Sequence, residues 1–424
     1  KFLRGECVII VDPKGDGELR ENARKACEMA GKPEAFAFFH PAFPRESVRI
    51  NPLKNFNRPM EVASRIAALI PSETGADPFK AFGQMALNNV IQGLLTVNET
   101  PLLTTIKRYL EAGVEGLVLR VVDAYCTRVM PNWVKEAAPV LDKAKDKVAA
   151  LTKLYHAKIA PDHPSPDLEG LLAMAAHNKD HLAKMIASLN PIMSMLTSGE
   201  LAPLLSPRAD DMDDPRPILD LQTIIKDARV LYIGLDSLSD AMVGSAIGAM
   251  LLSDLTTVAG DRYNYAEQDD LRPVNIFVDE AAETVNDPFL QMLNKGRGAK
   301  YRLIAATQTL SDFVTRTGSE DKAYQLLGNL NNMIALRVVD GKTQEYIAKT
   351  LGMTKIQYIM TTQGSNVTNE IAFGGNAGER LMEEEAELFP SPLLGRLPNL
   401  EFIAMTAGGK VWKGRVPILG KEKS

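Results

Sequence analysis

Two blocks in which short β-branched runs alternate with helical periodicity, separated by a long stretch of helical periodicity alone, constrain this chain most. Cys7 to Val11 (CVIIV) is an apolar run too short for a helix. Asp12-Pro13-Lys14-Gly15-Asp16 ends it, because proline and glycine stop a strand and open a turn. Glu18 to Gly31 reads as a helix stopped at its glycine, Ala35 to Phe39 as a strand and Pro59 to Ile70 as a helix. Strands and helices alternating in this way build a parallel sheet covered by helices, so the fold class is α/β.

From Phe79 to Leu205 the apolar residues recur at three and four positions, and Ala, Leu, Met and Lys dominate, which predicts an all-α insertion. The predicted helices run Phe79 to Thr96, Pro101 to Glu111, Gly116 to Met130, Trp133 to His156, Pro166 to Ala187 and Pro191 to Ser198. Ser206 to Pro217 (SPRADDMDDPRP) has the composition of a solvated turn and is expected to act as a hinge. Alternation then resumes with strands at Arg229 to Gly234, Val274 to Val278, Tyr301 to Ala306 and Met333 to Val338. A long helix is expected at Ser239 to Ala259. The domain division is therefore 1–78 and 218–424 as two parts of one sheet domain, 79–205 as the all-α domain and 206–217 as the hinge.

A chain of 424 residues, 45% hydrophobic and 24% charged, buries a full core. Its net charge of -5 places any nucleic-acid contact on a local surface or in a ring lumen. The three cysteines, Cys7, Cys27 and Cys126, are too far apart in sequence for a disulfide framework or a CxxC zinc site, and fit a reducing compartment. No signal peptide is seen, and no apolar run is read as approaching the ~18 residues of a membrane-spanning helix, so the chain as given is expected to be soluble.

The strand of Pro273 to Glu280 (PVNIFVDE) ends in Asp279 and Glu280, two carboxylates at the sheet edge where open α/β folds bind ligands. The pair suits nucleotide hydrolysis, with Asp279 holding Mg²⁺ and Glu280 orienting and activating the attacking water. Alone, the string also reads as the acidic cap of a following helix. The next βα unit (YRLIAA) ends in Thr307-Gln308, and an amide beside the carboxylates would bond both the γ-phosphate and the water. Gly296 and Gly298 permit a turn that projects Arg297 outward, toward a neighbouring subunit's phosphates or simply onto a helix end, and Arg337 is a second candidate. Asp12, Lys14 and Gly15 face either nucleotide or subunit interface, or form a plain polar turn.

His177 and His181 stand four apart on a predicted helix but lack the glutamate of HExxH and read as surface residues. His40, His156 and His163 show no nucleophile pattern, and no GxSxG occurs, so acyl transfer is unsupported. The chain nowhere contains GxxxxGK[ST], the loop that cradles phosphates, so this polypeptide alone is expected to hydrolyse ATP negligibly.

The strings VIIVDPKGD, PVNIFVDE, GRGAKYRLIAATQTLSDF and NNMIALRVVDGKTQEYIAKTLG, in that order, resemble the TraD-type coupling proteins of type IV secretion systems. So does the tail GERLMEEEAELFPSPLLGRLPNLEFIAM, where the resemblance implies an acidic helix before a last strand. It implies a RecA-like P-loop ATPase fold with a mostly parallel sheet, ATP and Mg²⁺ as cofactors, Asp279 and Glu280 as the Walker B pair and Gln308 as the sensor. Asp12 to Asp16 matches the family's DPKG motif. The implied role is the motor region of a conjugative coupling protein, which drives relaxase-bound DNA through a secretion channel as a homo-hexamer at the inner membrane. The family's phosphate loop and membrane helices precede DPKG, and this sequence begins after both. A segregation- or repair-type DNA translocase or helicase, and a non-catalytic adaptor for protein partners, are the alternatives.

Overall fold

The computed structural model describes residues 1–70, 78–177, 186–187, 189–267, 270–285, 287–369 and 372–417. The chain divides into two compact units, Lys1–Ala306 and Thr307–Ser424.

In the first unit, strands β1 (Cys7–Asp12), β2 (Phe36–Phe39), β5 (Val230–Gly234), β6 (Val274–Val278) and β7 (Tyr301–Ala305) form one sheet in the order β2-β5-β1-β6-β7. Every pairing in it is parallel. β1 and β5 are almost wholly buried, as central strands covered on both faces must be, which explains their unbroken apolar runs. Two-residue strands β3 (Arg49–Ile50) and β4 (Ile218–Leu219) pair in parallel beside the sheet. They close the chain at either end of the helical stretch.

That stretch holds helices Pro78–Thr96, Leu103–Ala112, Glu115–Val129, Trp133–Lys143, Lys147–Lys158, Pro166–Ala176, Asn190–Leu196 and Leu201–Leu205. The single helix expected over Trp133 to His156 is two helices. Asp146 caps the second by accepting a hydrogen bond from the Ala149 N–H, which ends the first at Lys143. The segment read as a hinge is fastened by Arg49, whose guanidinium donates to the carbonyls of Arg216 (3.0 Å) and Asp214 (2.9 Å). Arg216 holds Asp214 in turn, and that contact pushes the Asp214 carboxyl down to about 2.

Helix Ala241–Tyr265 is long and apolar enough, by length and composition, to span a membrane, which corrects the sequence reading that no run comes near that length. Most of its apolar window is buried inside the protein, as in the core helix of a sheet domain. Asp254, on its inner face, forms a buried ion pair with Arg65 at 2.8 Å and accepts a second bond from Asn55 Nδ2 at 2.8 Å. Burial nevertheless raises the Asp254 pKa to about 6.

The second unit contains β8 (Met333–Ala335), β9 (Met353–Asn369), β10 (Ala372–Glu387), β11 (Glu401–Met405) and β12 (Val411–Arg415). β12, β11 and β8 make an antiparallel sheet over a core of Ile347, Leu351, Leu394 and Ile403. β9 and β10 make a separate two-stranded ribbon. The acidic stretch expected to be a helix is therefore a strand, and its side chains are matched across the ribbon rather than along a helix face.

Candidate functional site

The carboxyl ends of β1, β5, β6 and β7 share one edge of the parallel sheet. Val11 is opposite both Ile233 and Val278, and Val278 is opposite Ala305. Each chain leaves this edge through a short loop carrying polar side chains.

After β1, the loop is organised by Asp12, only 1 % exposed. Its Oδ1 accepts from the N–H groups of Lys14 (3.1 Å) and Gly15 (3.0 Å). Its Oδ2 accepts from the Asp16 N–H (2.7 Å) and the Tyr232 hydroxyl (2.6 Å). With four donors converging on it, the carboxylate is committed to shaping the turn rather than open to a ligand. Burial, reinforced by the Asp12 bond, pushes the Tyr232 phenol well above the ordinary tyrosine range. Gly15 has φ +77°, and a Cβ there would lie 2.3 Å from His40 Nε2. Only glycine serves at that position.

The turn delivers Lys14 to β6, where its ammonium donates to Glu280 Oε1. That contact raises the lysine pKa. Glu280 has the left-handed backbone φ 38°, ψ 52°, which an L-residue adopts at a cost of about 1–3 kcal/mol. Asp279 caps that kink by accepting from the Glu280 N–H at 3.0 Å. Asp279's own N–H donates to the Val11 carbonyl (2.9 Å), and the Ala281 N–H donates to the Ala306 carbonyl (2.8 Å). The doublet is thus pinned between the ends of β1 and β7, with the Asp279 side chain exposed. The β1 and β5 loops are also joined, by Leu235 N–H to Asp12 O (3.0 Å) and Ser237 N–H to Pro13 O (2.8 Å).

His40, at the end of β2, is a resident of this edge that sequence reasoning missed. Its Nδ1 accepts from the Ala42 N–H at 3.1 Å, which leaves the proton on Nε2, the atom that abuts Gly15. Burial lowers its pKa, favouring that neutral form. The glycines it meets at the edge, Gly15 and Gly234, lie far away in sequence, so no local motif signals its place there; the Tyr232–Asp12 bond, spanning 220 residues, escaped for the same reason.

Asp279, Glu280, Asp12, Lys14 and Gly15 therefore meet at one edge. Gln308 follows two residues after Ala306, in the second unit, as does the exposed Arg337. Arg297 does not join them: it is exposed on the turn before β7, at the amino edge of the same sheet. A five-residue strand separates the two edges by roughly 16 Å. Of the histidine pair, His177 packs edge-on against Phe82 at 6.2 Å, and His181 lies outside the described residues.

No cluster of three or more His, Cys, Asp or Glu able to hold a metal occurs among the described residues. The edge still fits Mg²⁺ as nucleotide sites hold it, through one or two carboxylates completed by water and phosphate oxygens rather than by an all-protein cage. Asp279, whose side chain is exposed at the strand end, is the residue that would hold it. The thiols of Cys7 and Cys126 are pushed up to about 12 by burial, so neither is a nucleophile.

Residues 273–399 match the family described as the TraM recognition site of TraD and TraG. No curated protein matches the chain. Among solved structures, the unbound bacterial conjugative coupling protein TrwB matches at 15% identity and TM-score 0.60, covering 99% of this chain and 79% of that one. TrwB with a non-hydrolysable ATP analogue matches at 15% identity and TM-score 0.58, covering 99% and 80%. TrwB with ADP and Mg²⁺ matches at 14% identity and TM-score 0.56, covering 99% and 86%. The chain thus shares the RecA-like fold of these structures over nearly its whole length, and its 273–399 segment is similar to the TraM recognition site of TraD and TraG.

Proposed function

We propose that this chain is the motor region of a conjugative coupling protein, which brings relaxase-bound DNA to a type IV secretion channel and drives it through with ATP. The observation that carries the reading is the convergence of Lys14, Asp279 and Glu280 on one carboxyl edge of a parallel sheet, where ligands bind in this class of fold. When bound, Mg²⁺ and ATP supply the electrophilic phosphorus and the counter-charge. Asp279 holds the metal side of the site. Glu280 Oε1 orients the attacking water and accepts its proton. Lys14, paired with Glu280, would share its ammonium with a polyphosphate bound at the edge and so leave the Glu280 carboxylate available as the base. Gly15, packed on His40, and Asp12 hold the turn that presents Lys14 to this edge.

Gln308, two residues past Ala306 in the sequence, is the sensor residue that the resemblance implies. Arg297, on the far edge of its own sheet, is suited to completing the site of the next subunit in a homo-hexamer rather than its own. The 273–399 segment points to a TraM-like relaxosome protein as a partner, and the inner membrane is the expected location of the full-length protein. Since GxxxxGK[ST] is not in this sequence, the isolated polypeptide should turn over ATP negligibly.

The test is Glu280→Gln in the full-length protein. Loss of a positioned general base typically costs 10²–10⁴-fold, so DNA-stimulated ATPase should fall by at least ~100-fold and conjugative transfer with it. An unchanged ATPase removes Glu280 from this role.

A further inference from the structure

The β9–β10 ribbon bonds to no other strand among the described residues, yet its register runs from Met353↔Glu387 past Met360↔Arg380. An isolated two-stranded ribbon is marginal in water, and this one exposes large apolar side chains. Directly opposed residues share a face. On one face Ile359 pairs with Leu381, 61% and 65% exposed, at the centre. Along β10, Glu379 and Glu383 flank that pair, and Glu385 follows opposite Lys355. The Lys355–Glu383 contact at 2.7 Å is the ion pair this face holds among the described residues. The face is therefore an apolar pair flanked along β10 by a row of carboxylates, with Thr361, Gln357 and Lys355 opposite them on β9, an apolar centre with a polar border as docking hot spots have.

We propose that this ribbon face, Ile359 and Leu381 with Glu379, Glu383 and Glu385, is where the chain receives its protein partner, and that the partner presents an apolar centre inside a cationic rim. The proposal rests on the partner-recognition reading of the 273–399 segment and assigns it a surface. Charge decides the occupant. A second copy brings to this face only Lys355, which Glu383 already holds, against the glutamates, whereas a cationic partner neutralises Glu379 and Glu385 and covers the Ile359–Leu381 pair.

The experiment titrates the full-length protein with the TraM-type protein encoded by the same genetic element, by calorimetry at low and moderate salt. I359S/L381S and E379K/E385K should each weaken binding by about tenfold or more, with E379Q/E385Q intermediate and the salt dependence flattened. K143E, on a helix of the first unit, serves as a control and should bind like the unchanged protein. Amide exchange of the β11–β12 strands confirms that each variant is folded. Binding by the unchanged protein that all ribbon variants retain would overturn this proposal and leave partner recognition standing. No binding by the unchanged protein would overturn both, and a change in subunit number caused by the ribbon variants would identify a second copy as the occupant and also overturn it.

Discussion

Asp12→Asn is the sharpest perturbation of the edge, because it keeps the side chain's volume while removing its charge and one of its two acceptor oxygens. The carboxylate serves three backbone N–H groups and the Tyr232 hydroxyl. An asparagine amide must place its NH₂ where one of the two oxygens was. If it replaces Oδ1, Lys14 and Gly15 lose their acceptor. If it replaces Oδ2, Asp16 loses its own, while Tyr232 turns to the Asp16 carbonyl at 3.0 Å. Each buried donor left unmatched costs about 1–3 kcal/mol. The amide settles in the cheaper orientation, with one donor unmatched, so the local loss is about 1–3 kcal/mol, which converts to roughly 5- to 150-fold faster exchange of the turn amides. Hydrogen exchange should therefore show the Lys14, Gly15 and Asp16 amides losing protection while the β1 and β5 strand amides keep theirs. Unchanged protection of those three amides would refute the assignment of Asp12 as the organiser of the turn.

Gly15→Ala should distort the same turn, since it adds strain at φ +77° to a clash with His40; Gly15→Ala/His40→Ala should recover part of the loss in thermal melting. Asp254→Asn leaves Arg65 buried against a neutral side chain and should cost about 3–5 kcal/mol in urea unfolding, whereas replacing both partners by apolar residues should be far milder. The Asp214 carboxyl, depressed to about 2, contributes stability that is fully present above its unfolded value of 3.8 and is lost as pH falls through 2. Proteolysis near residues 211–216 should accordingly rise between about pH 4 and pH 2, and Asp214→Asn should show the susceptibility at neutral pH. Cys7 and Cys126 should resist alkylation at pH 8 until the protein is unfolded.

The strands that make the edge were readable because buried parallel strands are unbroken apolar runs ended by glycine, proline or acid. CVIIV before DPKGD and VNIFV before Asp279-Glu280 are such runs. The ribbon was not. The run from Glu379 to Glu387 has the composition of a solvated helix, and its strand state follows from pairing with residues some twenty or thirty positions earlier. Nor was the capped break at Asp146, where local side-chain bonding outweighed a continuous helical pattern. Within the edge, residue types and their order were legible, but not their duties: Asp12 is consumed by the turn, and Lys14 is committed to Glu280.

The most direct test is a structure of the full-length protein with Mg²⁺ and a non-hydrolysable ATP analogue. The γ-phosphate should lie at the carboxyl ends of β1 and β6, with Asp279 toward the metal and Lys14 drawn from Glu280 onto the phosphates. A triphosphate seated elsewhere, with the Lys14–Glu280 pair intact, would contradict the motor assignment.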